Sequence, residues 1–345
     1  YEPPALPLSY APFIVLNYKT FEVKYVKMKK LVTRSTLLRK VITLQRQKKL
    51  IPEEASVLIA FSGGIDSVAL TLAMLELKDF FRLKRLALAH INHGIRENSE
   101  NDEEFALEFA KRKGLEVFVE KFKVKEMAKD SGENLEALAR EVRYRALRDI
   151  KNRKGFDLIA TAHHLNDLVE TIILWLVRGS GLDGLTGFDE KLDDIVRPLY
   201  WVTKEEIREF VISRKELWVE DITNYDVKYA RNRIRHRVLP ELKKINPDLE
   251  ASVLRLRNIL KEEEDFIKEQ SLKALERCTK GQALRRRVLK SLHPALQRRV
   301  LSLWLGVKDM RKIEQAMHLI IRGGSMDLGE GIRLKVEGDY LYLQR

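Results

Sequence analysis

A single cysteine, Cys278, stands among 345 residues. One thiol closes no intrachain disulfide and builds no zinc cage, so neither kind of staple holds this chain, and nothing points to an oxidising compartment. Long apolar runs are also missing. The longest, near Val57–Phe61 and Ile172–Val177, fall far short of the roughly 20 residues of a membrane-spanning helix. No membrane partner is expected, and a cytoplasmic location is. The chain has no internal repeat and no low-complexity tract. No basic segment leads into a long apolar core at the N-terminus, so no signal peptide is read there.

What remains is a globular composition, 45% hydrophobic and 33% charged, with a formal net charge of +13. That excess predicts attraction to polyanions. Residues 1–27 hold Pro3, Pro4, Pro7 and Pro12 and then a mixed aromatic and basic stretch, and they read as a dispensable extension. Met28 opens an ordinary start that runs into an amphipathic helix. From Val57 onward, short apolar strands at 57–61, 86–91, 116–122 and 157–162 alternate with helical segments closed by Gly114 and Gly155. That alternation predicts a doubly wound parallel α/β sheet. Asn246-Pro247 marks a boundary, giving a catalytic domain 28–246 and a C-terminal domain 247–345. The second domain reads as mainly helical, with a long charged helix at 248–277 and shorter ones near 294–304 and 310–321. Alternation around Gly338-Asp339 predicts a terminal β-hairpin.

The first strand runs directly into Ser62-Gly63-Gly64-Ile65-Asp66-Ser67 and then a helix. Two glycines let backbone approach an anion. The helix start offers N–H groups and a positive dipole end to phosphate. Ser62 and Ser67 add hydroxyls, and Asp66 could hold a magnesium ion on pyrophosphate. There is no Gly-Lys-Ser/Thr of the common NTPase loop. The segment resembles instead the SGGxDS loop of the N-type ATP pyrophosphatases (the PP-loop superfamily), which implies a five-stranded, doubly wound parallel sheet and ATP and Mg2+ as cofactors.

Further segments narrow the substrate. They are His90-Ile91-Asn92-His93-Gly94-Ile95-Arg96, then Asn134-Leu135-Glu136 with Arg140, Arg143 and Tyr144. Thr161–Thr171, Arg178–Leu182 and Arg197-Pro198-Leu199 follow. Last come Glu220–Asn224 and Arg231-Asn232-Arg233-Ile234-Arg235. In this order they resemble the tRNA(Ile)-lysidine synthetases, over roughly Leu50–Leu242 and more weakly beyond. The resemblance implies a carbon–nitrogen ligase whose partners are L-lysine and tRNA(Ile) with a CAU anticodon. The wobble cytidine (position 34) attacks the α-phosphate of ATP through its C2 oxygen, and pyrophosphate leaves. The lysine ε-amine then displaces AMP, giving lysidine.

Within that frame Asp167 and Glu170 are expected to bind lysine, His163 to lie near the reacting phosphate, and Arg143 to stabilise charge on the adenylate. If a helix begins near His163, then His163, Asp167 and Glu170 at i, i+4 and i+7 share one face. Asp66, Arg143, His163 and Asp167 form the expected catalytic set, and Ser62, Gly63, Gly64, Ile65, Asp66 and Ser67 the ATP-binding set. Arg231, Arg233, Arg235 and Arg237 are expected to contact tRNA or ligand phosphate. Arg285, Arg286 and Arg287 either contact tRNA as well or are a solvated helix face. For His164 a structural role stands at least level with a role in the site. His90 and His93 have metal-like spacing without a third ligand and read as neighbours of a nucleotide pocket. The oligomeric state is not fixed, and a homodimer stays open. Two other readings compete. A tRNA thiolase would need reactive or cluster-binding cysteines, and a catalytically silent tRNA-binding protein would not need an intact loop.

Overall fold

Residues 57–59 carry no polar side chain because both faces of their strand are covered. Val57, Leu58 and Ile59 are fully buried, the condition of a strand inside a parallel sheet. The computed structural model describes residues 35–94, 99–132, 134–220, 227–307, 309–329 and 331–344. The extension 1–27 lies outside the described residues, as do Ile95, Arg96 and Asp221–Asn224 of the motifs above.

The chain divides into two units. The first takes the residues up to Leu174 together with Phe188–Glu250. It opens with α1 (Thr36–Lys48), where Ser35 caps the helix by accepting from the Leu38 amide. Then come β1 (Ser56–Ala60), α2 (Ile65–Glu76), β2 (Arg85–Asn92), α3 (Ser99–Lys113), β3 (Glu116–Lys121), α4 (Val124–Ser131), α5 (Leu135–Lys154), β4 (Leu158–Ala160) and α6 (Leu165–Val177). Asn134 caps α5 by accepting from the Glu136 and Ala137 amides, and Gly155, in the left-handed region, closes it. After α6 the chain forms β5 (Lys191–Leu192), β6 (Ile195–Val196) and α7 (Lys204–Ser213). A Thr203–Glu206 capping box fixes where α7 begins.

The strand order is β3-β2-β1-β4-β6-β5. β3, β2, β1 and β4 are parallel, as the alternation predicts, and the two-residue β6 joins them as a fifth parallel strand that the alternation did not show. A sixth, two-residue strand, β5, adds an antiparallel edge, too short to leave a periodic signal. The chain winds outward from β1 in both directions, so β1 and β4 flank the switch point of the sheet. Ligands of open α/β sheets sit in the crevice beyond the carboxyl ends of such strands. The segment after β1 is Ser62–Ser67, and the segment after β4 is Thr161–Glu170.

The second unit takes Trp175–Gly187 and the chain from Ala251. The long helix α8 (Leu249–Cys278) leads into it, followed by β7 (Thr279–Lys280), β8 (Ala283–Arg285), α9 (Pro294–Leu305), α10 (Met310–Arg322), β9 (Gly324–Gly329), β10 (Ile332–Glu337) and β11 (Tyr340–Gln344). The expected hairpin is β10–β11, turning at Gly338-Asp339. It belongs to a larger antiparallel sheet of order β7-β8-β11-β10-β9, so this unit holds more strand than its sequence suggests. β7 and β8 are too short to show a period of two, and β9 begins and ends in glycine. Leu284, Leu289, Val300, Leu301, Ile313, Leu334 and Leu341 form the core of the unit. Cys278, though its sequence neighbours are polar, is fully buried in that core, and burial pushes its thiol pKa up.

Candidate active site

The loop after β1 is built around a backbone conformation that favours glycine. Gly63 has φ +81°, and a Cβ there would also meet Phe105 Cδ1 at 3.2 Å. Val219 N donates to Gly63 O at 2.9 Å. Ser67 Oγ donates to Gly64 O at 2.8 Å, and Ser62 Oγ lies 3.3 Å from Ser67 Oγ. Gly64 is the N-cap of α2 and supplies no side-chain cap. The first turn of α2 therefore presents amide N–H groups and the positive end of the helix dipole, an arrangement suited to phosphate oxygens.

Asp66 stands in that first turn. Its Oδ1 accepts from Lys204 Nζ at 2.6 Å, and the Lys204 amide donates to Asn166 Oδ1 at 2.8 Å. The His164 ring, 2% exposed, lies between two acids: Nε2 is 3.7 Å from Asp66 Oδ1 and 3.5 Å from Asp167 Oδ2. The loop after β1 and the acids on α6 are thus brought within one side chain of each other.

Asp167 and Glu170 share a face of α6, and two arginines close over them. Arg235 Nε donates to Glu170 Oε1 at 2.6 Å and its Nη2 to Glu170 Oε2 at 2.9 Å. Arg231 Nε donates to Glu170 Oε2 at 2.9 Å and its Nη2 to Asp167 Oδ1 at 3.2 Å. The Glu170 side chain is 1% exposed and both guanidinium groups about a third exposed. Burial acts to raise the Asp167 pKa. The His164 ring and Arg231, with His163 and Arg235, overcome it and hold the carboxyl well below the usual range. The arginines shift the opposite way: burial disfavours their charge, and the two carboxylates more than restore it.

His163 faces another neighbourhood. The helix begins at Leu165 rather than near His163, so only Asp167 and Glu170 share its face, and His163 sits on the loop before it. Its Nδ1 is 2.9 Å from Thr161 Oγ1, and its ring meets the Phe188 ring at 5.6 Å between centroids. Burial, with Arg197, Arg143 and Arg140, pushes the His163 pKa down to about 3, against the pull of Asp167. The ring is neutral near pH 7. Arg143, on α5, is lowered by burial and by Arg140. His90 is buried behind the loop, its Nδ1 3.0 Å from Phe61 O.

The PP-loop domain family matches residues 34–242, and a TilS-like substrate binding domain matches residues 278–343. The tRNA(Ile)-lysidine synthase of Petrotoga mobilis is 34% identical over 222 residues, covering 64% of this chain and 71% of that protein. The chain belongs to the tRNA(Ile)-lysidine synthase family. The Persephonella marina member is 38% identical over 243 residues, 70% of this chain and 54% of that protein. A Thermus thermophilus member is 34% identical over 313 residues, 87% of this chain and 58% of that protein. The chain spans about half the length of the first curated relatives it matches. In fold, the chain is similar to the U34-tRNA thiolase NcsA from Methanococcus maripaludis, solved with its [4Fe-4S] cluster. The TM-score is 0.53 at 18% identity, covering 65% of this chain and 78% of that one.

The arginine run of this family member splits by orientation. Arg231 and Arg235 turn inward to the acids, whereas Arg233 and Arg237 are exposed. A π-helical turn at Ile234–Val238 follows the short helix Ala230–Arg233. In the second unit Arg286 donates to Ile320 O at 2.7 Å and Ile321 O at 2.9 Å, satisfying carbonyls at the end of α10. Arg285 donates to Arg277 O at 2.6 Å. Of this trio only Arg287 is exposed.

Sequence reasoning missed Lys204, the ion-pair partner of Asp66. It lies far along the chain at the start of α7, in a segment legible only as one more helix. It also missed the bridging role of Asn166, whose Nδ2 donates to Glu250 Oε1 at 2.8 Å. No local pattern marks either residue. Among the described residues no three His, Cys, Asp or Glu side chains converge to hold a metal ion. Asp66 alone fits magnesium in the mode where one carboxylate joins phosphate oxygens and water around the ion. Among the described residues no helix is long and apolar enough to cross a membrane.

Proposed function

We propose that this chain ligates L-lysine to C2 of the wobble cytidine, position 34, of tRNA(Ile) with a CAU anticodon. The observation that carries this reading is the single-residue bridge, His164, between the phosphate loop and the Asp167–Glu170 pair. A two-step ligation needs an ATP-splitting site and a site for a cationic amine at that separation.

In the first step the C2 oxygen of cytidine attacks the α-phosphate of ATP, and pyrophosphate departs onto Ser62–Ser67 and the start of α2. Asp66 stands in that loop, and Lys204 pairs with it. Magnesium on the leaving pyrophosphate would be held by Asp66 and would offset its charge. Arg143 stabilises negative charge on the adenylate. His163, neutral in its cationic surroundings, orients the reacting phosphate through a neutral ring nitrogen.

In the second step the ε-ammonium of lysine binds at Asp167 and Glu170, loses a proton, and attacks C2 as the free amine. AMP leaves with the electrons of the C2–O bond, and one of the two protons on the attacking nitrogen is released. Arg231 and Arg235 occupy the same carboxylates in the unliganded chain, so lysine must displace or share them. A thiolase reading is disfavoured because Cys278, the one cysteine, is buried in the second unit and offers no ligand set for a cluster.

The test is mass spectrometry of CAU-anticodon tRNA(Ile) after incubation with the chain, ATP, magnesium and isotopically labelled lysine. Expected is a label-bearing cytidine at position 34. An unmodified cytidine with intact tRNA binding would support the silent tRNA-binding reading instead.

A further inference from the structure

Three arginines gather beside His163, and among the described residues no carboxylate is paired with them. Arg140 Cζ lies 5.1 Å and Arg143 Cζ 5.5 Å from the centroid of the Tyr144 ring. The Tyr144 hydroxyl faces Arg197 but is buried without a well-formed hydrogen bond. Arg197 itself is 4% exposed. Its Nη1 donates to Asp189 O at 2.6 Å, and its Nε is buried with no partner. Among the described residues none of the three forms an ion pair. A buried guanidinium without a counter-charge is costly unless something supplies one. Here the charge runs from exposed Arg140 inward to Arg197, so an anion can reach it from solvent.

We propose that Arg140 and Arg197, adjoining Arg143 and His163, form a phosphate site that takes a backbone phosphodiester of the RNA beside the reacting nucleotide. The site's chemistry is a guanidinium fork for phosphate oxygens set among aromatic rings. Arg197 Cζ is 5.2 Å from the Phe188 centroid, and Phe188 meets His163 on one side and Tyr200 on another. Cations interleaved with aromatic faces suit single-stranded nucleotides. Position separates this site from the pyrophosphate loop. Arg197 follows β6, two strands from β1 in the sheet, a lateral offset of roughly 10 Å. Burial lowers the pKa of Arg143, Arg197 and His163, and the cations add to it: Arg140 lowers both arginines, and all three lower the histidine, an unfavourable state that a bound anion relieves. The proposal rests on the reading of RNA as substrate.

The test uses the full chain with two probes: a short RNA hairpin with CAU in its loop, followed by fluorescence anisotropy across a salt series, and ATP, followed by equilibrium dialysis. Arg140→Gln, at an exposed position, keeps the fold. Arg197→Lys keeps the charge and removes the fork, with thermal melting to verify folding. Expected for each variant is roughly tenfold weaker hairpin binding with ATP binding unchanged. For Arg140→Gln the slope of log affinity against log salt falls by about 0.7. Parent-like hairpin affinity in Arg140→Gln overturns the site whatever Arg197→Lys does. Weakened ATP binding with unchanged hairpin binding assigns the phosphate to the nucleotide cosubstrate and overturns the RNA assignment. A parent chain that binds no hairpin overturns the proposal together with the RNA-substrate reading, a failure distinct from equal binding by parent and variants.

Discussion

The segments after β1 and β4 lie side by side at the switch point of the sheet, yet they stand in opposite states. After β1, binding capacity resides in backbone: a left-handed Gly63, a helix start with no side-chain cap, and hydroxyls bonded within the loop. After β4 it resides in side chains that satisfy one another, with Asp167 and Glu170 closed under Arg231 and Arg235. A backbone cradle is ready for an anion as it stands. A self-paired carboxylate site is ready for a cation only once its own arginines give way. The first region should therefore respond to mutation through phosphate chemistry, and the second through lysine affinity and stability together.

The sharpest break is expected from Asp66→Asn. Loss of this carboxylate should slow pyrophosphate release by roughly 10²–10³-fold while leaving filter-binding affinity for tRNA nearly intact. Equal pyrophosphate release by variant and parent would remove Asp66 from the chemistry.

Next in size is Glu170→Gln. Breaking a fully buried pair costs about 3–5 kcal/mol. With the arginines a third exposed, a loss of about 2 kcal/mol in urea unfolding is expected. The KM for lysine should rise more than that for ATP. Asp167→Asn should shift the lysine KM in the same direction. An unchanged lysine KM in both variants would move amine recognition elsewhere.

The acids and His163 also set the response to pH. Asp167 has a depressed pKa in the fold, so it contributes stability above the ordinary carboxylate range that is lost as pH falls through its folded value. His163 falls from 6.5 to about 3. The unfolded chain binds its proton first, and stability declines as pH drops from 6.5 toward about 3. His163→Gln should flatten that limb of the melting temperature against pH. An unaltered limb would mean the ring is not held neutral.

Gly63→Ala tests the backbone cradle alone. A left-handed alanine costs about 1–2 kcal/mol, and its Cβ would press on Phe105. The KM for ATP should rise while lysine and tRNA binding hold. The smallest effects belong to exposed Arg233 and Arg237. Alanine at each should leave stability within about 0.5 kcal/mol and flatten the salt dependence of tRNA binding by about 0.7–0.9 per residue. A salt slope equal to that of the parent would make them a solvated face.

The difference between the two regions also explains what could be read from sequence. The phosphate loop was legible because its chemistry is local: strand, two glycines, hydroxyls and helix follow one another along the chain. The parallel strands were legible because continuous apolar runs reflect burial on both faces. Asp167 and Glu170 could be placed on one face by spacing. The ring of cations around them could not, because Arg231 and Arg235 arrive from some sixty residues away. Lys204 escaped notice for the same reason, 138 positions from its partner Asp66. The clustered arginines 231–237 were expected together to contact tRNA or ligand phosphate, but helical geometry turns Arg231 and Arg235 inward and Arg233 and Arg237 outward. Arg285 and Arg286 looked like a basic patch, and the fold binds them to backbone carbonyls instead.

The most direct measurement follows pyrophosphate and AMP separately from labelled ATP, with CAU-anticodon tRNA(Ile), in the presence and absence of lysine. If the phosphate loop acts as it stands and the acid pair serves the amine, pyrophosphate should appear without lysine, and AMP only once lysine is added. Pyrophosphate release that requires lysine, or AMP release that does not, would contradict that division of labour.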